Sequence, residues 1–308
     1  MAGKADIKLG YTCNNHCVHC VITDQRDHAR RIRGDSDRGT AEVLRELADA
    51  HHRGYSDVVV TGGEPTIRKD LPVILERARD LGFRLHIQTN GRMLAHRPLA
   101  ERLAPIRAVY AVALHGPTAQ IHDRVTETPG SFEQTVAGIR NLRALEQRVI
   151  GKMVLSRYNA DAQTATIGLL LSLGVDTINV AFPHALGTAR ERFDEVVPRY
   201  RDILPDAHRA LTRYGQQATL FYEAVPLCLM GGFEHHVAEY ACKPLQGRAV
   251  HKQLDMETRD WRRARSEQKC KFEGCARCRF DPVCEGPWRE YPEHFGDEEF
   301  VPVPPVIR

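Results

Sequence analysis

The run Asp57-Val58-Val59-Val60-Thr61-Gly62-Gly63-Glu64-Pro65 moves from consecutive valines into a glycine pair. Three valines in a row suit a strand buried on both faces, the kind found in parallel sheets. The glycines place a junction without side chains just past its end, where backbone groups can approach a ligand.

The same alternation extends in both directions. Ile7–Tyr11 reads as a strand before it, and Thr40 is placed to cap a helix carrying Val43, Leu44, Leu47 and Ala48 on one face. After it, Asp70 caps a helix with Leu71, Ile74, Leu75 and Ala78, which stops at Gly82. Strands follow at 83–89, 108–114, 149–156 and 177–182, separated by helices at 94–103, 131–142 and 161–173. Ser131-Phe132-Glu133-Gln134 has the form of a capping box.

Six strand–helix units predict an α/β fold, a partial (β/α)6 parallel barrel over residues 1–215. Helical periodicity fades after residue 216, and six of the nine cysteines lie beyond it, so 216–308 reads as a small cysteine-rich iron–sulfur extension. Barrel sites lie where strands end. Those junctions hold a cysteine loop, Gly62-Gly63-Glu64-Pro65, Thr89-Asn90-Gly91, His115-Gly116-Pro117, Arg157-Tyr158-Asn159 and Pro183-His184-Ala185-Leu186-Gly187.

The cysteine loop is Tyr11-Thr12-Cys13-Asn14-Asn15-His16-Cys17-Val18-His19-Cys20. Its spacing suits three thiolates on three corners of a 4Fe–4S cube, with one iron left open for chemistry. A zinc site completed by His16 or His19 is the alternative from residue types alone.

The cysteine spacing and the Gly62-Gly63-Glu64-Pro65 motif resemble the radical S-adenosylmethionine (SAM) superfamily. The resemblance implies that Cys13, Cys17 and Cys20 hold a cluster whose open iron chelates the amino and carboxylate groups of SAM. It implies that Glu64 and Pro65 fix the glycine loop and that Thr89 and Asn90 meet the ribose or the methionine carboxylate. His115 joins these expected cofactor contacts; His115, Asn159 and His184 all stand within reach of ligand or substrate, with an ordinary polar residue at a loop entrance as the favoured reading of each. His19 stands where the family most often has an aromatic ring against the adenine. A reducing flavodoxin or ferredoxin is the implied electron donor.

Cys275-Ala276-Arg277-Cys278-Arg279-Phe280-Asp281-Pro282-Val283-Cys284 resembles the core of the SPASM/twitch extensions of that superfamily. With six cysteines rather than seven, it implies one auxiliary 4Fe–4S cluster on Cys275, Cys278 and Cys284, with Cys228 as fourth ligand and Cys242 as its rival. Cys270 is expected to remain free. Four closed thiolates suit zinc as well. The tail beyond Tyr291 is expected to pack without chemistry.

A net charge of +3 over 308 residues is near neutral, and basic runs at 30–33 and 259–265 are interleaved with acids, so no nucleic-acid partner is expected. No apolar run has transmembrane length, and no leader precedes the cysteines. Nine cysteines without a secretion signal point to metal in the cytoplasm rather than disulfides. The functional expectation is a radical enzyme acting on a small natural-product intermediate. Only twelve residues precede Cys13, short for a leader-binding wing, which leaves a peptide maturase as the alternative. A non-catalytic zinc- or iron-stabilised binding protein is the rival from another class.

Overall fold

The computed structural model describes residues 3–242, 249–252 and 259–305. Seven parallel strands run in sequence order across the sheet: β1 (Gly3–Lys8), β2 (Tyr55–Thr61), β3 (Arg84–Thr89), β4 (Val109–Ala113), β5 (Arg148–Val154), β6 (Thr177–Ala181) and β7 (Thr219–Glu223). Helices between them pack on one face, where Ile7, Val58, Val60, Ile87, Tyr110, Val112, Ile178 and Tyr222 form a continuous buried core. This is the expected α/β architecture.

The differences have local causes. The first strand lies earlier than Ile7–Tyr11, because the Tyr11 and Thr12 amides leave the sheet to donate to Asp37 Oδ1, each at 3.0 Å. The sheet also continues past residue 215 into β7, whose Leu220 and Tyr222 are buried. The helix Thr23–Arg33 was not expected, since Ala29 is its one buried residue and it carries no apolar stripe. Thr40 and Asp70 do not cap: the Thr40 hydroxyl donates to Asp70 Oδ2 at 2.6 Å, and Arg68 takes both Asp70 oxygens. The capping box at Ser131 is likewise absent. Asp123, from the preceding helix, accepts from Gly130 N, Phe132 N and the Ser131 hydroxyl at 2.7–2.8 Å.

Alternation along the strands turns the other residues to the second face of the sheet. Lys4, Asp6, Asp57, His86, Gln88, Lys152, Asn179 and Glu223 lie there, half-buried or exposed, beside Val59, Ile150, Val154 and Phe221. A closed eight-stranded barrel would fill this space with branched side chains. Here charged groups of both signs take part of it.

The C-terminal segment extends one edge of the sheet. β8 (Ala249–Lys252) pairs in parallel with β1, and β9 (Arg259–Asp260) pairs antiparallel with β8. The side chains of the basic run up to residue 263 lie outside the described residues. Arg265, just after β9, reaches Glu223 at the far edge at 3.2 Å, Glu285 at 2.9 Å, and Glu239. One guanidinium thus bridges the gap between the two edges of the sheet.

Burial opposes ionisation of Glu223, yet Lys152 and Arg265 hold its carboxyl down to about 2. That lies below the unfolded value of about 4.3, so its stabilisation is complete above that pH and is lost as pH falls toward 2. Arg265→Met is expected to lower the unfolding free energy by about 2 kcal/mol near pH 7, because it removes the cation shared by buried Glu239 and half-buried Glu223 and Glu285. Urea titration should show that difference, and the difference should narrow below about pH 4. Equal midpoints for both proteins at pH 7 would count against an ionic bridge.

Candidate metal centre

The cysteine loop sits over the C-terminal ends of the first strands and is pinned from several sides. The His16 and Val18 amides donate to Thr126 O and Val125 O at 3.0 Å, and Thr188 N donates to Cys20 O at 3.0 Å. The glycine junction lies directly beneath it. A Cβ on Gly62 would fall 2.1 Å from Gly10 O, and one on Gly63 2.0 Å from Thr12 O. Gly63 N and Glu64 N donate to those same carbonyls at 2.8 and 2.9 Å. The glycines are therefore required by the approach of the chain to itself, a nearer demand than ligand access.

Glu64 is buried and accepts four hydrogen bonds. Oε1 takes Thr66 N, the Thr66 hydroxyl and the Thr89 hydroxyl at 2.5–2.9 Å, and Oε2 takes Asn90 N at 2.6 Å. Burial pushes its pKa up, and the four donors work against that rise. Asn90 Nδ2 donates to Asn14 Oδ1 at 2.7 Å and lies 4.0 Å from Cys13 Sγ. Arg92 donates to Asn14 O and to Asn15 Oδ1. The end of β3 is thereby wired to the cysteine loop, and sequence reasoning missed Arg92.

Cys13, Cys17 and Cys20 form one electrostatic group. Burial first, and then Glu64 and Cys20, push Cys13 up to about 11; burial followed by Cys20 and Cys13 pushes Cys17 higher still, while burial raises Cys20. A protein-only pocket that penalises each thiolate becomes favourable once a cation is shared among the sulfurs. Asn15 N already donates to Cys13 Sγ at 3.4 Å. This donor set fits an iron–sulfur cube.

The histidines occupy different places. His115, at the end of β4, is buried; its Nδ1 accepts from Val154 N at 3.2 Å, and its ring meets the edge of His19 at 4.6 Å. A ring nitrogen from each of these two lies within 4.8 Å of Cys17 Sγ, whereas His16 is exposed. Asn159 spends its amide on His115 O and Val154 O, bracing the ends of β4 and β5. His184 lies flat on Trp288, the ring centres 3.9 Å apart.

Four of the C-terminal cysteines line a small cavity, walled by Cys228, Cys275, Cys278, Cys284, Phe272 and Phe300. Cys228 is pushed up to about 12 by burial and then by Cys284, Cys278 and Cys275. Backbone amides of Phe272, Gly286 and Val303 donate to Cys275, Cys284 and Cys278 sulfurs, each at 3.4 Å. Such N–H···S bonds suit thiolates that carry a metal cluster. Cys242 faces Glu223 rather than these thiols, and Cys270 Sγ has Pro287 O at 3.9 Å. The tail is not idle: Phe300, Pro302 and the Val303 amide help to enclose the cysteines. Its aromatic and proline residues were the signal available.

The family model for the radical SAM superfamily matches residues 7–170, more than half of the chain. The chain belongs to the radical SAM superfamily. It is 30% identical over 193 residues to the AdoMet-dependent heme synthase of Methanosarcina barkeri, covering 62% of this chain and 54% of that protein. It is 26% identical over 236 residues to the PqqA peptide cyclase of Rhodopseudomonas palustris, covering 74% and 61%. The chain thus spans little more than half the length of these relatives. Streptococcus suis SuiB bound to precursor peptide SuiA shares the fold with a TM-score of 0.65 at 13% identity, covering 97% of this chain and 74% of SuiB. Membership implies a 4Fe–4S cluster and SAM, and the C-terminal cysteine group fits a SPASM-like extension. Among the described residues, no helix is long and apolar enough to cross a membrane.

Gly63→Ala would press a methyl group into the Thr12 carbonyl, so the glycine junction and the cysteine loop must separate. We expect a loss of about 2 kcal/mol of stability. Iron assays on the reconstituted protein should show most of the loop's iron gone and the C-terminal iron retained. Full iron with an unchanged melting temperature would contradict this account of the glycine.

Proposed function

We propose that the chain is a radical SAM enzyme that takes hydrogen from a polar small-molecule intermediate, with one auxiliary 4Fe–4S cluster passing electrons. The single observation that carries this is the three-thiol loop, with no fourth cysteine beside it, locked onto the Gly62–Pro65 junction. Cys13, Cys17 and Cys20 would hold the first cluster; Cys228, Cys275, Cys278 and Cys284 would hold the second. Bound at the loop, the cluster would supply the electron that splits a carbon–sulfur bond of SAM and yields a 5′-deoxyadenosyl radical.

The chain's own groups do the rest. Gly62, Gly63, Glu64 and Pro65 present backbone groups to the methionine end. Thr89 and Asn90 are held at that end by Glu64. His115, with its Nδ1 taken by Val154 N, keeps its proton on Nε2 and offers a donor near Cys17 and His19. The half-buried face of mixed charge on the sheet supports a polar substrate. A reduced flavodoxin or ferredoxin is the proposed donor, and the cytoplasm the proposed compartment.

Maturation of a ribosomally made peptide is the second reading, favoured by the peptide-directed names of the PqqA cyclase and of SuiB with SuiA. Mass spectrometry of reactions supplied with candidate small molecules or peptides separates the two, by which one is altered in step with 5′-deoxyadenosine release.

Cys17→Ala is expected to abolish reductive cleavage of SAM, measured as 5′-deoxyadenosine by chromatography, while iron at the C-terminal site is kept. Wild-type protein should carry about eight irons, and the C13A/C17A/C20A protein about four. Those four should depend on Cys275, Cys278 and Cys284, and Cys270→Ala should keep full iron. Zinc in place of the second four would overturn the auxiliary cluster and leave the radical chemistry standing.

A further inference from the structure

Lys269 and Trp288 face each other across a short antiparallel bridge in the extension. Lys269 is 4% exposed, and its ammonium lies 3.7 Å from the centre of the Trp288 ring. No hydrogen-bond acceptor reaches Nζ among the described residues. An aromatic face returns less to a buried cation than its desolvation costs. Burial accordingly lowers its pKa to about 7, and the neighbouring Arg265 adds to that.

The acids that face Lys269 are already engaged. Glu285 and Glu223 both pair with Arg265, and Glu290, which also faces Lys269, pairs with His184 at 3.4 Å. Beyond these three acids, the negative group near it is Cys284, a wall of the four-cysteine cavity. A 4Fe–4S core held by four thiolates is a net anion, and one-electron reduction adds a further negative charge. Local charge is among the levers that set cluster potentials.

Resting on the auxiliary cluster proposed above, we propose that Lys269 is the buried counter-cation of that cluster and raises its reduction potential. Trp288 holds the ammonium in place. His184, stacked within 8° of parallel on the same indole, ties this arrangement to the end of β6. The barrel mouth and the auxiliary site are thereby joined through one lysine, one tryptophan and one histidine.

The C13A/C17A/C20A protein isolates the auxiliary cluster for study. Its midpoint is read by electron paramagnetic resonance during an anaerobic potentiometric titration. Adding Lys269→Met is expected to shift the reduction equilibrium at least tenfold toward the oxidised form, about 59 mV downward for one electron. Lys269→Gln should shift it the same way, and Lys269→Arg should stay near the parent value. Loss of iron from both neutral variants while Lys269→Arg keeps it also supports the assignment, because charge then holds the cluster. An unshifted midpoint in either iron-replete neutral variant overturns it. A parent protein without iron removes the auxiliary cluster itself, and this inference with it, a failure distinct from an unshifted midpoint.

Discussion

The buried carboxylate of Glu64 is the constraint on which the site depends. A carboxylate taken out of water must find donors, and Glu64 finds them on two separate strand ends, at Thr66 after β2 and at Thr89 and Asn90 after β3. Satisfying it fixes the spacing of those ends. Asn90 and Arg92 then carry the same constraint upward to Asn14 and Asn15, within the cysteine loop. The thiols are positioned by a chain of polar contacts that begins at a residue three positions past the end of β2, not by the loop's own stiffness.

The parts of this arrangement that could be read from sequence are those governed by period and spacing. Valines in a row, apolar residues at helical intervals and cysteines at short fixed separations all act locally, so β2 to β6 and both cysteine groups were visible. What escaped was decided by distant partners. Asp37, more than twenty residues away, ends the first strand by taking two amides. Asp123 displaces Ser131 as the cap of the next helix because it can reach three donors at once. Thr40 and Asp70 both had the right residue type at a helix start, yet each found a better partner in the other. β7 carried a signal, Leu220 and Tyr222 alternating after Gly215, but a five-residue strand is easily lost beside a region rich in cysteine.

The mixed charge on the second face of the sheet follows from the barrel being incomplete. With seven strands in parallel and a gap between the edges, the inner residues need not fill a closed core. Charges persist there in counterpoised pairs, Arg84 with Asp57 and Lys152 with Glu223. The extension completes the enclosure electrostatically, through Arg265, more than through hydrogen-bonded strands alone. A ring closed by an ionic bridge tolerates a wetter interior than one closed by a ladder, because charged groups at the seam remain paired either way.

The two cysteine groups differ in how the fold surrounds them, and the difference accounts for a division of labour between them. At the loop, three thiols sit beside a strand-end junction lined with backbone donors and acceptors, so a fourth coordination position faces ligand rather than protein. In the extension, four thiols converge with three backbone amides already directed at sulfur, and Phe272, Phe300 and Pro302 cover the remainder. The auxiliary cluster proposed for this site would be fully ligated by the chain and so suited to passing electrons. Lys269 pairs with Trp288 in the extension, and Trp288 stacks on His184, just after β6. On the proposed reading, an open metal for chemistry and a closed one for electron transfer would be built from the same residue type, separated by what the backbone places around it.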